Sequence, residues 1–484
     1  MNYSMIRYIL AWVLKVEGAL MGLPCLIALI YGEKEGFAYL FCMAICLAIG
    51  FLGSLKRPDN TEIYQKDGFA AVALAWIVLS LFGAVPFMLT GEVSSYVDAL
   101  FEIVSGFTTT GASILKDVEA VSHATLLWRS FSHWVGGMGV LVFILMLIPV
   151  KNGSQMNLMR AESPGPTVSK FVPRVRNTAI LLYKIYVVMT ILQILLLLFT
   201  NMNWFDALCM SFGSAGTGGF SILNTGCASY TPVQQWIITV FMILFGVNFS
   251  FYYLFLCKKA GAALKMEEVR TYFIIIGVSI LLITWNISSI YASRGQSLGD
   301  AVRDAAFQVG SIITTTGYST TDFNLWPELS KYILILLMFI GACAGSTGGG
   351  IKVSRIVVLC KSIRKEMQVI AHPRGVQKVK MDGRPVEHET LRSINVFFIV
   401  YMVIFAASVL VISFDEFSFE TNFTAVAATL NNIGPGMDMV GPAGNFSAYS
   451  PISKIMLTLD MLAGRLELFP FLILFCPSTW KRRG

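Results

Sequence analysis

Apolar stretches of membrane-spanning length recur along the whole of this 484-residue chain, and nothing else in it constrains the fold as tightly. A helix rises 1.5 Å per residue and a hydrocarbon core is about 30 Å thick, so roughly 20 consecutive apolar residues cross it. Ten such runs stand near 6–31, 36–55, 69–91, 124–149, 179–201, 232–257, 271–293, 328–356, 393–413 and 452–476. With 55% hydrophobic and only 13% charged residues, the chain has no stretch left for a large water-soluble domain. In lipid every backbone N–H and C=O must be bonded internally, so the expected class is an all-α integral membrane protein. The first run is too long for a signal-peptide core and lacks a small-residue cleavage site, so it reads as a retained span.

Four shorter apolar segments, 96–107, 204–215, 300–313 and 419–430, each lie between two long runs. About 12 residues cannot cross, which suits a re-entrant helix whose end is buried in protein or faces water. With the N-terminus cytoplasmic, the segments 56–66, 151–176, 258–270, 352–392 and 481–483 carry 25 of the 36 Lys and Arg residues. That asymmetry obeys the positive-inside rule and puts all four short segments on the outer side. It also accounts for the net charge of +7, so no nucleic-acid partner is expected. The nine cysteines show no C-x-x-C pair or disulfide-like spacing and read as packing residues.

The four short segments carry a repeat. Their terminal loops align without gaps as Thr109-Thr110-Gly111, Thr217-Gly218-Gly219, Thr315-Thr316-Gly317 and Asn432-Ile433-Gly434. Thirteen residues before those glycines stand Asp98, Asp206, Asp304 and Thr421. The glycines are 108, 98 and 117 residues apart, which divides the chain into a two-helix extension, 1–66, and four units, 67–150, 151–265, 266–370 and 371–484. A dehydrated cation needs oxygens in place of its water shell, and backbone carbonyls are the usual source. Glycine takes the left-handed backbone such a loop demands, and threonine hydroxyls can add further oxygens. An acid near the start of each short helix would cap its free N–H groups, leaving the helix's negative end toward the ion. Glycine-rich packing loops of a broken-helix transporter are the competing reading, but packing does not require glycine and acid in one register.

A second glycine-rich run, 341–352, holds Gly345-Ser346-Thr347-Gly348-Gly349-Gly350. Ile335 and Leu336, not acids, stand thirteen residues before Gly348 and Gly349, and there is no G-K-[ST] ending, so the run is neither a fifth loop of this kind nor a phosphate loop. It interrupts the long run 328–356, which is tolerated at membrane depth only where backbone is buried or wet. The reading is a gate beneath the four loops, with a packing kink as the alternative. Arg465 lies fourteen residues into the last span after Pro451, near mid-membrane. It either faces the pore or pairs with Asp460 or Glu467 of the same span. His133 reads as a packing residue, and Lys15 and Glu17 as snorkelling or paired.

Together with 108–113, Ala161-Glu162-Ser163-Pro164-Gly165-Pro166, 218–221, 314–318, 344–352 and 430–436, these features make the chain resemble the Trk branch of the Trk/Ktr/HKT superfamily of K⁺ transporters. The resemblance implies a pseudo-fourfold, K⁺-channel-like architecture of ten transmembrane and four pore helices. It further implies a K⁺-binding filter at the twelve loop residues above, and a gate made by 345–350 with Arg465. It implies no cofactor on this chain, homodimerisation, and a TrkA-like cytoplasmic ring that binds nucleotide, in a bacterial inner membrane. Gly218, Ile433 and Thr421 depart from the repeat. The expected function is gated K⁺ uptake, with H⁺- or Na⁺-coupled transport as the alternative; an intramembrane enzyme finds no acid–base constellation around His133.

Overall fold

The computed structural model describes residues 1–60, 62–139, 175–373 and 377–480. The rest of the fourth run, 124–149, after residue 139, most of the basic segment 151–176 with its Ser-Pro-Gly-Pro turn, Arg374, Gly375 and the tail 481–483 lie outside the described residues. Apart from a hairpin in which Lys380 faces Pro385 and Met381 faces Arg384, the described regular structure is helical.

Among the described residues six helices are long and apolar enough to cross a membrane: Tyr3–Tyr31, Gly36–Ser54, Gln65–Leu89, Ile180–Phe199, Glu267–Ser293 and His388–Asp415. Their outward residues are apolar, with Leu29 79%, Trp285 71% and Phe199 82% exposed. The centre of the molecule is polar instead: Thr108, Thr109, Thr110, Thr314, Thr315, Thr316, Asn431 and Asn432 are wholly buried. Apolar exterior and polar interior are what a chain dissolved in lipid around a hydrated path requires, and this is a multi-pass membrane protein.

The four expected spans missing from that group are those that follow the short helices, and each is interrupted. The helix His123–Gly137 stops at Met138 and Gly139, the latter at φ 80°. Pro232–Phe245 and Phe249–Leu256 meet at 90° across 246–248. Glu328–Ile340 and Val353–Ala371 flank the glycine-rich run. Pro451–Arg465 ends where Glu467 and Leu468 take left-handed φ of 51° and 67°. Of the ten runs expected from hydropathy, one of them already read as interrupted, the described residues show six helices of crossing length plus, if the bent pair counts as one span, a seventh. Hydropathy reports the solvent around a segment and is blind to where its backbone breaks.

All four short helices are present: Tyr96–Phe107, Trp204–Gly216, Leu298–Ile313 and Phe419–Leu430. The third starts earlier than the apolar run suggests, because Ser297 and Asp300 form a capping box ahead of it. Asn203 and Ser418 cap the second and fourth, and Ser122, Thr231 and Ser450 cap three of the helices that follow. In the first span, Lys15 does not pair with Glu17. Its ammonium lies over the rings of Trp12 and Phe51, at 4.7 and 4.3 Å, while both Glu17 oxygens are buried without a hydrogen-bond partner.

Candidate functional site: a ring of four loops over a glycine-rich plug

The four loops share one backbone. Thr109, Thr217, Thr315 and Asn432 take φ of 56°, 55°, 59° and 56°, and two residues on Gly111, Gly219, Gly317 and Gly434 take 80°, 80°, 86° and 105°. A left-handed residue with a side chain costs about 1–2 kcal/mol, so four at one register need a common restraint. Two hydrogen bonds supply it in every loop. The amides of Thr110, Gly218, Thr316 and Ile433 each donate at 2.8 Å to the carbonyl five residues earlier, on Ser105, Gly213, Ser311 and Ala428. The amides of Thr109, Thr217, Thr315 and Asn432 each donate three residues back, to Gly106, Ser214, Ile312 and Thr429, at 3.1–3.2 Å. The fourth loop, which lacks both threonines, keeps this backbone because Asn tolerates the left-handed region.

The loops also close on one another. A Cβ built on Gly111 would overlap the Gly218 carbonyl, one on Gly219 the Thr316 carbonyl, and one on Gly317 the Ile433 carbonyl. One on Gly434 would lie 2.8 Å from the Thr110 carbonyl, which returns the contact to the first loop. Each glycine thus gives room to the next loop's carbonyl, in the order first, second, third, fourth, first. On one side of the ring a cavity of about 280 Å³ is lined by all four glycines together with Lys116, Arg129 and Phe446.

The threonine side chains are less available than the sequence suggests. Thr110 and Thr316 pair with Thr108 and Thr314 at 2.8 Å, and Thr110 also accepts from Asn432 Nδ2 at 3.0 Å. The hydroxyl of Thr217 donates to Gly216 O at 2.6 Å, and that of Thr315 accepts the Gly349 amide at 2.6 Å. Backbone oxygens, not hydroxyls, are the atoms shared by all four loops.

The departure at Gly218 has a physical reason. The His133 ring occupies the volume a side chain there would need. Its Nδ1 faces the Gly106 carbonyl at 2.8 Å, and its Nε2 accepts the Phe220 amide at 3.2 Å, so this histidine packs as expected.

None of the three register acids is the N-cap residue of its helix, although Asp98 and Asp206 stand in the first turn. Asp98 accepts from Lys454 Nζ at 2.6 Å, and Asp206 from the Tyr230 hydroxyl at 3.5 Å. Asp304 lies in the second turn of its helix, accepting from Tyr291 and Thr320 at 2.8 and 3.1 Å. The carboxylates tie the short helices to neighbouring outer segments, and Asn203, Ser297 and Ser418 cap the second, third and fourth short helices. In the fourth unit the missing acid is restored from elsewhere. Asp438, four residues after Gly434, accepts from Thr421 Oγ1 at 2.6 Å and Ser418 Oγ at 2.7 Å. Those hydroxyls hold the Asp438 carboxyl below the usual aspartate range.

On the side of the ring opposite the cavity lies the glycine-rich run. A Cβ on Gly348 would come within 2.8 Å of the Thr314 carbonyl, and one on Gly349 would overlap the Asn431 carbonyl. Its polar groups meet the broken ends of the neighbouring helices. Cys343 N donates to Gly246 O at 3.1 Å, Phe249 N to Gly345 O at 3.0 Å, and Thr347 Oγ1 to Phe245 O at 3.3 Å. The carbonyls freed where a helix ends inside a membrane protein must find donors, and here the run provides them. Lys352 Nζ reaches back to the Gly348 carbonyl. Arg465 completes the plug. Its Nη1 donates to Thr347 O at 2.9 Å and Thr109 Oγ1 at 3.3 Å, and its Nη2 to Gly137 O at 2.9 Å and to Gly136 O. Glu467 bonds Arg355 and Asp460 bonds Ser408, while Arg465 reaches the backbone carbonyls and Thr109.

Sequence reasoning missed Glu268. Its carboxylate accepts from the amides of Ala344 at 2.6 Å and Ser354 at 3.2 Å and from Asn248 Nδ2 at 3.4 Å, tying both ends of the run to the 90° bend. It also missed the buried Glu102–Arg129 pair. Both are single residues far in sequence from their partners, and no spacing marks them.

The family model TrkH, described as a cation transport protein, matches residues 36–482. The chain is 36% identical over 498 aligned positions to the Trk system potassium uptake protein TrkH of Escherichia coli K12, covering 99% of this chain and all of that one. It is 30% identical to the Trk system potassium uptake protein TrkG of the same strain, covering 95% and 94%. The crystal structure of the potassium transporter TrkH from Vibrio parahaemolyticus superposes with a TM-score of 0.88 at 31% identity, over 99% of this chain and all of that one. Matched from its second helix to its last, and over the full length of these relatives, the chain belongs to the TrkH cation transport protein family.

Proposed function

We propose that this chain takes up K⁺ across the bacterial inner membrane through one gated, selective pore at the centre of the ring. The closed ring of loops carries this reading: four backbones with the same two hydrogen bonds, each glycine making room for the next loop's carbonyl. A ring of carbonyls can replace the water shell of a cation, and the C-terminal ends of four short helices add negative potential there. The ion is cargo, held at Thr109–Gly111, Thr217–Gly219, Thr315–Gly317 and Asn432–Gly434, and the chain carries no resident cofactor. The run 345–350 with Arg465 is the gate. Six long helices and the four interrupted segments make ten crossings, arranged as the extension 1–66 and four units at 67–150, 151–265, 266–370 and 371–484. The chain works as a homodimer under a TrkA-like, nucleotide-binding cytoplasmic ring.

H⁺- or Na⁺-coupled transport is the second reading. Glu17 is a buried carboxyl of the kind a relay needs, but it lies in the first helix against Gly83 and makes no hydrogen bond to a loop residue. Purified protein in K⁺-loaded liposomes tests both readings. Passive uptake predicts a steady K⁺ flux with no pH or Na⁺ gradient, and faster flux for K⁺ than for Na⁺. Flux that needs either gradient favours coupling.

A further inference from the structure

Two side chains on one face of the helix His123–Gly137, Arg129 and His133, are a turn apart and converge on Phe220, the residue after the second loop's glycine. The Arg129 guanidinium lies 4.1 Å from the Phe220 ring, and its Nη1 donates to Ser221 O at 3.3 Å. The His133 and Phe220 rings are 4.4 Å apart. Because Nε2 of His133 accepts the Phe220 amide, the ring's proton sits on Nδ1, where it is donated to Gly106 O. Behind Arg129 stands Glu102, which takes its Nε–H at 2.8 Å, the Ser113 hydroxyl at 2.9 Å and the Ile114 amide at 2.9 Å. One unbroken chain of contacts thus leaves the first loop at Ile114, passes through Glu102, Arg129, Phe220 and His133, and returns to the first short helix at Gly106.

This pair is buried on both sides, Arg129 at 2% and Glu102 at 1% exposure. A buried ion pair adds little net stability over apolar residues of the same size, so stability alone does not explain its presence. The same register in the other short helices holds Met210, Gln308 and Ala425 for Glu102, and the seventh residue after the N-cap of the following helix, where Arg129 stands, is Ile238, Leu334 and Leu457. The device belongs to one seam of the ring, the seam where Gly218 has no side chain of its own to hold its carbonyl in place.

We infer that Glu102, Arg129 and His133 are positioning residues that clamp Phe220 and so set the spacing between the first and second loops, making this seam a determinant of which ions the ring admits. The inference rests on the reading of the ring as the K⁺ path. Discrimination by carbonyls depends on the width and stiffness of the site they form, and a clamp on one neighbour of Gly219 acts on both.

The test is the K⁺-to-Na⁺ flux ratio of purified full-length protein in liposomes, measured for wild type, Arg129→Lys, Phe220→Leu and the control Phe87→Leu. Phe87 is equally buried but lies outside the seam. Lysine keeps the charge but cannot hold Glu102, Ser221 and the ring face together. Arg129→Lys and Phe220→Leu each lower the ratio about fivefold to tenfold, the scale of one net hydrogen bond or cation–π contact, while Phe87→Leu leaves it unchanged. An unchanged ratio in both seam variants, or an equal drop in Phe87→Leu, overturns the inference. If Arg129→Lys does not assemble, Phe220→Leu decides, since it strands no buried charge. A wild type with no preference for K⁺ defeats the K⁺-path reading, and the clamp with it, before any variant is compared.

Discussion

Arg465 donates to the Thr347 carbonyl at 2.9 Å, and with its other nitrogen to the Gly137 carbonyl at 2.9 Å. One guanidinium therefore joins three interrupted crossing segments beneath the loops. Hydrogen bonds from a charged donor are worth about 1.5–3 kcal/mol each, so Arg465→Ala raises basal K⁺ flux in liposomes by at least about tenfold. A flux equal to or below wild type would show that the arginine holds nothing shut.

Gly219→Ser puts a Cβ into the Thr316 carbonyl, so either that carbonyl moves or the second loop does. The K⁺-to-Na⁺ flux ratio drops about tenfold or more as one oxygen of the site leaves its place. Competition by Na⁺, Rb⁺ and Cs⁺ in the same assay measures it. Ratios that match wild type would place ion selection elsewhere.

Glu268→Gln keeps the size of the side chain but gives it one acceptor oxygen where three donors converge. Both ends of the run 341–352 loosen together. Hydrogen exchange of its amides quickens by about tenfold, matching roughly one net hydrogen bond, and basal flux rises with it. Exchange unchanged in the variant would mean that the neighbouring helix ends alone hold the run.

Asp438 titrates at the outer surface, and its folded-state pKa is depressed by Thr421 and Ser418. Its contribution to stability is therefore complete above the ordinary aspartate pKa of about 3.9, and is lost as pH falls through the lower folded value. The melting temperature of detergent-solubilised Asp438→Asn lies below wild type at neutral pH, and the gap closes only below about pH 4. A gap that stays constant into that acidic range would mean the carboxylate charge plays no part.

The sequence makes the ring legible because the ring is a repeat. Gly111, Gly219, Gly317 and Gly434 share a spacing that survives in one dimension, and the structure brings them into mutual contact. The breaks in the crossing segments are legible only where composition marks them, as at 341–352. Leu466, Glu467 and Leu468 read as continuous helix and are not, because Arg355 and the hydrogen bond from Leu468 to Ala463 hold a left-handed pair there. That Asp98, Asp206 and Asp304 also bond Lys454, Tyr230 and Tyr291 is not legible in the sequence, because those partners are set by tertiary neighbours. The same limit hid Asp438, which takes the place of an acid lost seventeen residues earlier in the chain.

That all four loops lie on one polypeptide sets how such a ring can change. In a ring of four identical chains, every substitution is imposed at four places at once, and a residue tolerable once is often intolerable in quadruplicate. Here Gly218 with His133, and Thr421 with Asp438, are pairings found at single corners, where the other units carry different residues. A ring on one chain can thus be altered a quarter at a time, and the inequality of these four loops uses that freedom.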